Sequence, residues 1–285
     1  MVPVFGSDYA VGVVLTLLMW IALTQSWVVL SAMTGYISLG HAVFFGTGAY
    51  VMVLTFGLIP FWASVLASGA VAGLLALVVG FPCLRVRGPY FVILTFGLSE
   101  LVKFTVLNIE ASLGKFGRLL FGGPSLSQLF YVLLLLTAVS IVITFVVRRS
   151  RFGAGLRAIR ENEAAAETLG INVARYKVMA FALSAVIPGM VGAVIVMRTS
   201  FFEAFDVFNP VTSFTIVSMA IIGGGDDVPG PLYGAFFLVV LQQLLWANWP
   251  EVYMIILGAV LVGFVLGAPD GIHGRIVVLR RRLAK

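Results

Sequence analysis

The residues best placed to do chemistry lie in one charged stretch of an otherwise oily chain, "RFGAGLRAIRENEAAAETLGINVARYKV", Arg151 to Val178. Asn162 carries the side-chain oxygen of a helix N-cap, Glu163 follows at the positive end of a helix, and Gly170 supplies a left-handed stop. The spacing predicts a helix of about two turns, "EAAAETL". Asn172 then caps a second helix that continues as "ARYKVMAFALSAVIPG". Two turns are not stable alone in water, so the helix needs a surface to dock on. Ala164, Ala165 and Ala166 make it slim, and Arg157, Arg160, Glu161, Glu163 and Glu167 surround it with both signs of charge. That pattern suits insertion into a groove on a soluble partner. A solvated loop with incidental charges is the competing reading, and these residues alone leave both open.

Other candidates are sparser. Glu100 and Lys103 stand three apart on one helix face, where they pair as a structural unit or mark a route through the membrane. The segment "GYISLGHAVFFGTGAY" from Gly35 is too glycine-rich for a regular lipid-facing helix, and a broken helix turns backbone groups toward a polar molecule in transit. Ser38, Gly40, His41 and Phe45, with Thr95 and Glu100 from a later span, are the candidate pathway residues. For His41 a packed, hydrogen-bonded ring is the alternative. "GGGDDVPGP" from Gly223 is not a phosphate cradle, because no lysine follows it and two aspartates repel phosphate. Two histidines and one cysteine, Cys83, argue against a metal site or a disulfide framework. With no convergent acid, base and nucleophile, the chain is not expected to be an enzyme.

The elements that must position these residues are membrane spans. The chain is 61% hydrophobic and 11% charged, against about 25% charged in an ordinary soluble domain. No Asp, Glu, Lys or Arg occurs between Asp8 and Arg85, and further uncharged runs cover 119–147, 178–197, 207–225, 228–250 and 252–269. Continuous apolar runs call for helices, since a membrane barrel needs short alternating segments. The first run has no basic region before it, so it is expected to be a retained span rather than a cleaved signal. The net charge of +6 is not read as nucleic-acid binding, because most of the basic residues fall in three clusters, Arg85/Arg87, Arg148 to Lys177 and Arg275 to Lys285. The positive-inside rule puts all three clusters in the cytoplasm. Spans near 10–32, 36–58, 61–83, 89–107, 129–147, 178–197, 208–223, 229–247 and 251–267 satisfy that constraint. The expected fold is thus all-α, a polytopic bundle of about nine helices (eight to ten), some interrupted, with a cytoplasmic basic C-terminus. It forms one membrane domain over 1–285, with a cytoplasmic loop at about 148–177. Small-residue pairs Gly69/Gly73, Gly230/Gly234 and Gly263/Gly267 permit close helix contact.

"EAAAETLG" with the later Ile187-Pro188 resembles the EAA loop of bacterial ABC importer permeases. The longer stretch "RFGAGLRAIRENEAAAETLGINVARYKVMAFALSA" is similar to the branched-chain amino acid permease family. So are "GYISLGHAVFFGTGAY", "LRVRGPYFVILTFGLSELVK" from Leu84, "GGGDDVPGPLYGA" and "PDGIHG" from Pro269, in family order over nearly the whole chain. Asp226 and Asp227 depart from the small or hydroxyl residues usual in that family. The resemblance implies a coupling helix that seats on an ATPase, with Arg157, Arg160, Glu161, Asn162, Glu163, Ala164, Ala165, Ala166, Glu167 and Gly170 as the coupling residues. It also implies a second homologous permease or a copy of this chain, two cytoplasmic ATPase subunits, an external substrate-binding protein, and residence in the bacterial inner membrane. No GxxxxGK[ST] loop is present, so no cofactor is expected on this chain, and ATP and Mg would sit on the ATPases. The implied cargo is a branched-chain or other hydrophobic amino acid, with urea, amides or aromatic acids as alternatives. A stand-alone ion-coupled transporter using Glu100 is the reading from another class.

Overall fold

In a computed structural model, residues 8–114, 118–120, 122–199, 201–224, 228–249, 252–267 and 271–276 are described. The chain folds into helices joined by short connections. They are α1 (Asp8–Thr34), α2 (His41–Thr55), α3 (Phe61–Cys83), α4 (Pro89–Ser112), α5 (Leu126–Arg149), α6 (Arg151–Glu161), α7 (Glu163–Thr168), α8 (Val173–Val196), α9 (Ala204–Val207), α10 (Pro210–Gly223), α11 (Gly230–Asn248) and α12 (Tyr253–Gly267). A two-residue antiparallel pairing, β1 (Arg118–Leu119) with β2 (Phe201–Phe202), ties the α4–α5 connection to the α8–α9 connection.

Six helical stretches are long and apolar enough to cross a membrane: Tyr9–Thr34, Phe61–Cys83, Pro89–Ser112, Leu126–Arg149, Val173–Val196 and Ala204–Gly223. His41–Thr55 and Gly230–Leu245 are apolar but shorter, and α12 has 15 residues. An apolar helix thus lies near each of the nine expected spans, but the described residues give six of full span length rather than nine. The reason is local. At about 1.5 Å per residue a 15-residue helix reaches roughly 22 Å, short of a hydrocarbon core of about 30 Å. The run expected at 36–58 is broken because residues 35–40 leave the helix and Gly35 takes φ 77°. The basic C-terminal tail beyond Ile276, and Asp226 and Asp227, lie outside the described residues.

α8 and α1 form the centre, with α2, α3 and α5 against them. Two glycine contacts decide how closely α2 and α8 approach: a Cβ at Gly48 would collide with the Gly189 backbone, and one at Gly192 with Phe45 O. Gly69 and Gly73 face Met190 and Val186 of α8, and Gly230 and Gly234 meet the Gly224 and Met219 carbonyls. These four are packing glycines. Gly263 and Gly267 are not, since among the described residues nothing lies within 4 Å of where their side chains would begin.

Polar side chains inside the bundle return their hydrogen bonds to backbone. Thr137 Oγ1 donates to Leu18 O at 3.0 Å, Thr144 Oγ1 to Gln25 O at 3.1 Å, and Ser26 Oγ to Ser184 O at 2.7 Å. Each links two helices, which matters in a bilayer because apolar burial alone does not drive helices together there.

A capped surface helix clamped to the bundle

α5 ends at Arg149, and the chain turns at once into α6, where the Ser150 side chain accepts from Gly153 N at 3.1 Å. α6 is fastened to the bundle by its arginines. Arg157 Nη1 donates to Arg148 O at 2.8 Å, and Arg160 Nη1 reaches Ala32 O, near the end of α1, at 2.7 Å. Asn162 then takes an extended conformation, φ −161° and ψ 113°, which ends α6 and starts α7. Its Oδ1 accepts from Ala165 N at 3.1 Å, as a helix cap should.

At the other end Gly170 stands at φ +83°, Gly170 N donates to Glu167 O at 2.9 Å, and Ile171 N donates to Ala166 O at 3.1 Å. That pair of bonds is a Schellman closure, and it needs a residue free to adopt a left-handed backbone. Asn172 caps α8 through a 3.0 Å bond from Arg175 N.

α7 therefore has a fixed orientation despite its six residues. Ala166 is buried against Ile159 and Val173, while Ala164, Ala165, Glu167 and Thr168 are exposed and Leu169 is 78% exposed. Arg157, Arg160 and Glu161 are exposed as well.

Glu163 behaves differently from the expected ring of outward charges. Its side chain turns inward and is only 11% exposed. Tyr36 Oη donates to Glu163 Oε1 at 2.5 Å, and Lys177 Nζ from α8 donates to the same oxygen at 3.1 Å and to Tyr36 Oη at 3.0 Å. Arg87, from the α3–α4 connection, holds Nε 2.9 Å from Oε2, an ion-pair contact without hydrogen-bond geometry. Burial alone pushes the Glu163 carboxyl up, but hydrogen bonds from Tyr36 and Lys177 and the charges of Lys177 and Arg87 outweigh it and leave it below the usual range. Tyr36 is displaced far upward, first by burial and then by the Glu163 carboxylate, so it remains a donor.

Tyr36, Lys177 and Arg87 were not singled out from sequence. Lys177 and Arg87 read as markers of the membrane boundary, and Tyr36 reads as one aromatic residue among many. A tyrosine directly after Gly35 at the start of the broken segment was the only available hint.

Behind the clamp lies the irregular segment 36–40. Tyr36 packs edge-on against Phe91, with ring centroids 5.2 Å apart, and Phe91, Phe181 and Phe44 continue the contact inward. The His41 ring stands 5.8 Å from Phe44. The backbone of the segment is satisfied by side chains: Trp27 Nε1 donates to Ser38 O at 2.9 Å, Leu39 N to Thr95 Oγ1 at 3.1 Å, and Ser99 Oγ to Leu39 O at 3.2 Å. Gly40 N donates to Ser38 Oγ at 3.2 Å.

Ser38, Gly40, His41 and Thr95 thus come together, but Ser38, His41 and Thr95 have no exposed surface in this conformation. Phe45 sits in a second apolar cluster with Met52 and Val191. Among the described residues neither His41 ring nitrogen has a hydrogen-bond partner; the ring is packed and fully buried, as the alternative expected, but not hydrogen-bonded. Glu100 stands apart, with both carboxylate oxygens held by Lys103 at 2.8 and 2.7 Å.

Six apolar helices of spanning length, glycine-mediated packing and a surface helix fixed at the foot of a span are the features of a multi-pass membrane protein. Residues 9–265 match the family described as branched-chain amino acid transport system / permease component, and the chain belongs to it. It is 27% identical over 305 residues to the high-affinity branched-chain amino acid transport system permease protein LivM of Salmonella typhimurium, covering 95% of this chain and 71% of that protein. It is also 27% identical over 211 residues to a probable branched-chain amino acid transport permease protein LivH of Methanocaldococcus jannaschii, covering 74% of this chain and 62% of that one. The nucleoside ABC transporter permease protein NupC of Lactococcus lactis is 30% identical over 129 residues, 45% of this chain and 38% of that protein. No solved structure matches.

Proposed function

We propose that this chain is one half of the translocation unit of an ATP-driven importer and that α7 is the contact through which a separate ATPase moves it. The observation that carries the reading is the construction of α7. A six-residue helix is capped at both ends and held at its base by Glu163, yet it presents Ala164, Ala165, Glu167 and Leu169 outward. A small-residue face on a fixed stem fits a groove on a soluble protein.

In this reading the α7 end faces the cytoplasm of a bacterial inner membrane, as the basic clusters require, and nine crossings include the shorter α2, α11 and α12. ATP and Mg belong to two ATPase subunits. A second permease, homologous or identical, completes the route, and an external binding protein delivers cargo.

The clamp suggests how motion would travel. Glu163 is joined to α8 through Lys177 and to the irregular segment through Tyr36. A displacement of α7 then pulls on residues 36–40 as well as on α8, and the aromatic contacts of Phe91, Phe181 and Phe44 extend that pull toward His41. Small shifts at such a joint become a change of access when packed helices have two stable arrangements.

The proposed cargo is a branched-chain or other hydrophobic amino acid. Relatives named for branched-chain amino acids support this choice, and a relative named for nucleosides, similar over 45% of this chain, keeps other cargoes in the screen. Urea, amides and aromatic acids are the other cargoes to screen. Reconstitution with the cognate ATPase and binding protein tests the reading: uptake should require ATP hydrolysis. Uptake driven by a proton or sodium gradient, indifferent to ATP and abolished by Glu100→Gln, would instead support an ion-coupled carrier.

A further inference from the structure

Two cavities follow one another along the same pair of helices. The first, about 270 Å³, opens beside α7 between the end of α3 and the start of α8, and Phe81, Arg85, Arg87, Lys177 and Val178 are among its lining. The second, about 560 Å³, is apolar and lies between the same helices, with Ala70, Leu74, Leu77, Ala182 and Val186 in its walls. Leu77 is one turn from Phe81 on α3, and Ala182 one turn from Val178 on α8, so the two cavities are neighbours on successive turns of these helices, although no residue lines both and Phe152 of α6 also borders the second.

The charges differ sharply along this track. At the α7 end, Arg85, Arg87 and Lys177 face two carboxylates, Glu163 and Glu167, and Glu163 is already engaged by Lys177 and Arg87. Among the described residues no carboxylate pairs with Arg85, whose guanidinium lies 4.6 Å from the Phe81 ring centroid. Phe81 is itself 57% exposed. Gly88, at φ +58°, turns the connection so that the Arg85–Arg87 stretch stays at the cleft before α4 begins. Glu167, exposed on the rim, opposes an anion but leaves the balance positive. One turn further in, only apolar walls remain.

We infer that the α3/α8 track is a binding site for one anionic phospholipid. Its phosphate would sit at Arg85 and Arg87 and an acyl chain in the groove of Leu74, Leu77 and Ala182. A basic cleft leading into an apolar groove at the boundary of a bilayer matches such a molecule in both charge and length. The bound headgroup shares Arg87 with Glu163, so the lipid sits directly beneath the stem of α7.

The test is native mass spectrometry on the full chain in detergent, titrated with phosphatidylglycerol or phosphatidylcholine of identical acyl chains. Phosphatidylglycerol should be held about fivefold more tightly, the contribution of roughly one surface arginine. Arg85→Gln should bring it down to the phosphatidylcholine level. Ala70→Trp, which fills the groove from an exposed position, should weaken both lipids, with unchanged thermal unfolding of each variant as the control for folding. Equal retention of the two lipids by the unaltered chain would overturn the inference. So would glycerol phosphate binding as well as phosphatidylglycerol, which assigns the cleft to a free phosphate, or displacement of the lipid by saturating ATPase subunit, which assigns it to a protein. None of these readings depends on transport, so they stand or fall separately from the proposed function.

Discussion

Two lysine–carboxylate pairs in this molecule look alike on paper and do different work. Glu100 and Lys103 are three residues apart on α4, and their bond closes within a single helix. Glu163 and Lys177 are fourteen apart on two helices, and Tyr36 and Arg87 join them from two further connections. Removing the first pair changes one helix face. Removing the second unfastens α7 from α8, from the irregular segment and from the α3–α4 turn together. An ionic contact transmits force between elements only if it spans them, and only the second does.

The contrast is broken most severely by Glu163→Lys. It places a third cation against Lys177 and Arg87 and leaves Tyr36 without its acceptor, at a cost on the order of 3 kcal/mol. Thermal unfolding in detergent should fall, and ATPase co-purification should be lost. Tyr36→Phe removes two hydrogen bonds, the one donated to Glu163 and the one accepted from Lys177, for a net loss of about 2 kcal/mol, with the ring contact to Phe91 retained. ATPase binding should survive this change while uptake per ATP hydrolysed declines. Gly170→Val forces a β-branched residue into φ +83° and should cost about 1 to 2 kcal/mol, read as faster hydrogen exchange at Ala165 and Ala166.

Acid provides a graded form of the same test. Because the Glu163 carboxyl is held below its ordinary value when folded, its contribution is present above that ordinary value. It is lost as pH falls through the lowered one. Protection of the α7 amides from hydrogen exchange, corrected for the intrinsic pH dependence of exchange, should therefore fall as pH drops below the ordinary glutamate range, and Glu163→Gln should remove the acid step. The smallest effect is expected from Glu100→Gln. The amide oxygen still accepts from Lys103, and the Phe104 and Phe205 rings, 5.1 and 5.3 Å from Nζ, share the charge, so the loss is about 1 kcal/mol. ATP-driven uptake should persist.

Local signals carried well from sequence to structure. The uncharged run before Arg85 gave α3 its bounds at 61 and 83, and the Asn162 cap, the Gly170 stop and the Asn172 cap lie where their side-chain chemistry puts them. Long-range signals did not carry. The inward turn of Glu163 depends on Tyr36, 127 positions away, and no local pattern announces that partner. Ser38 and Thr95 read as pore-lining polar groups, yet they spend their hydrogen bonds on the irregular backbone. The spacing of Gly263 and Gly267 matches that of Gly69 and Gly73, but among the described residues only the latter meet another helix. Spacing says which residues share a face, and not what the face meets.

The most direct test of α7 as the seat of the ATPase is site-directed cross-linking from Ala165→Cys, an exposed position whose small side chain leaves both caps intact. In the assembled complex with its cognate ATPase, this cysteine should cross-link to the ATPase subunit and be shielded from a water-soluble maleimide. Equal maleimide labelling with and without the ATPase, and no cross-linked product, would contradict the account.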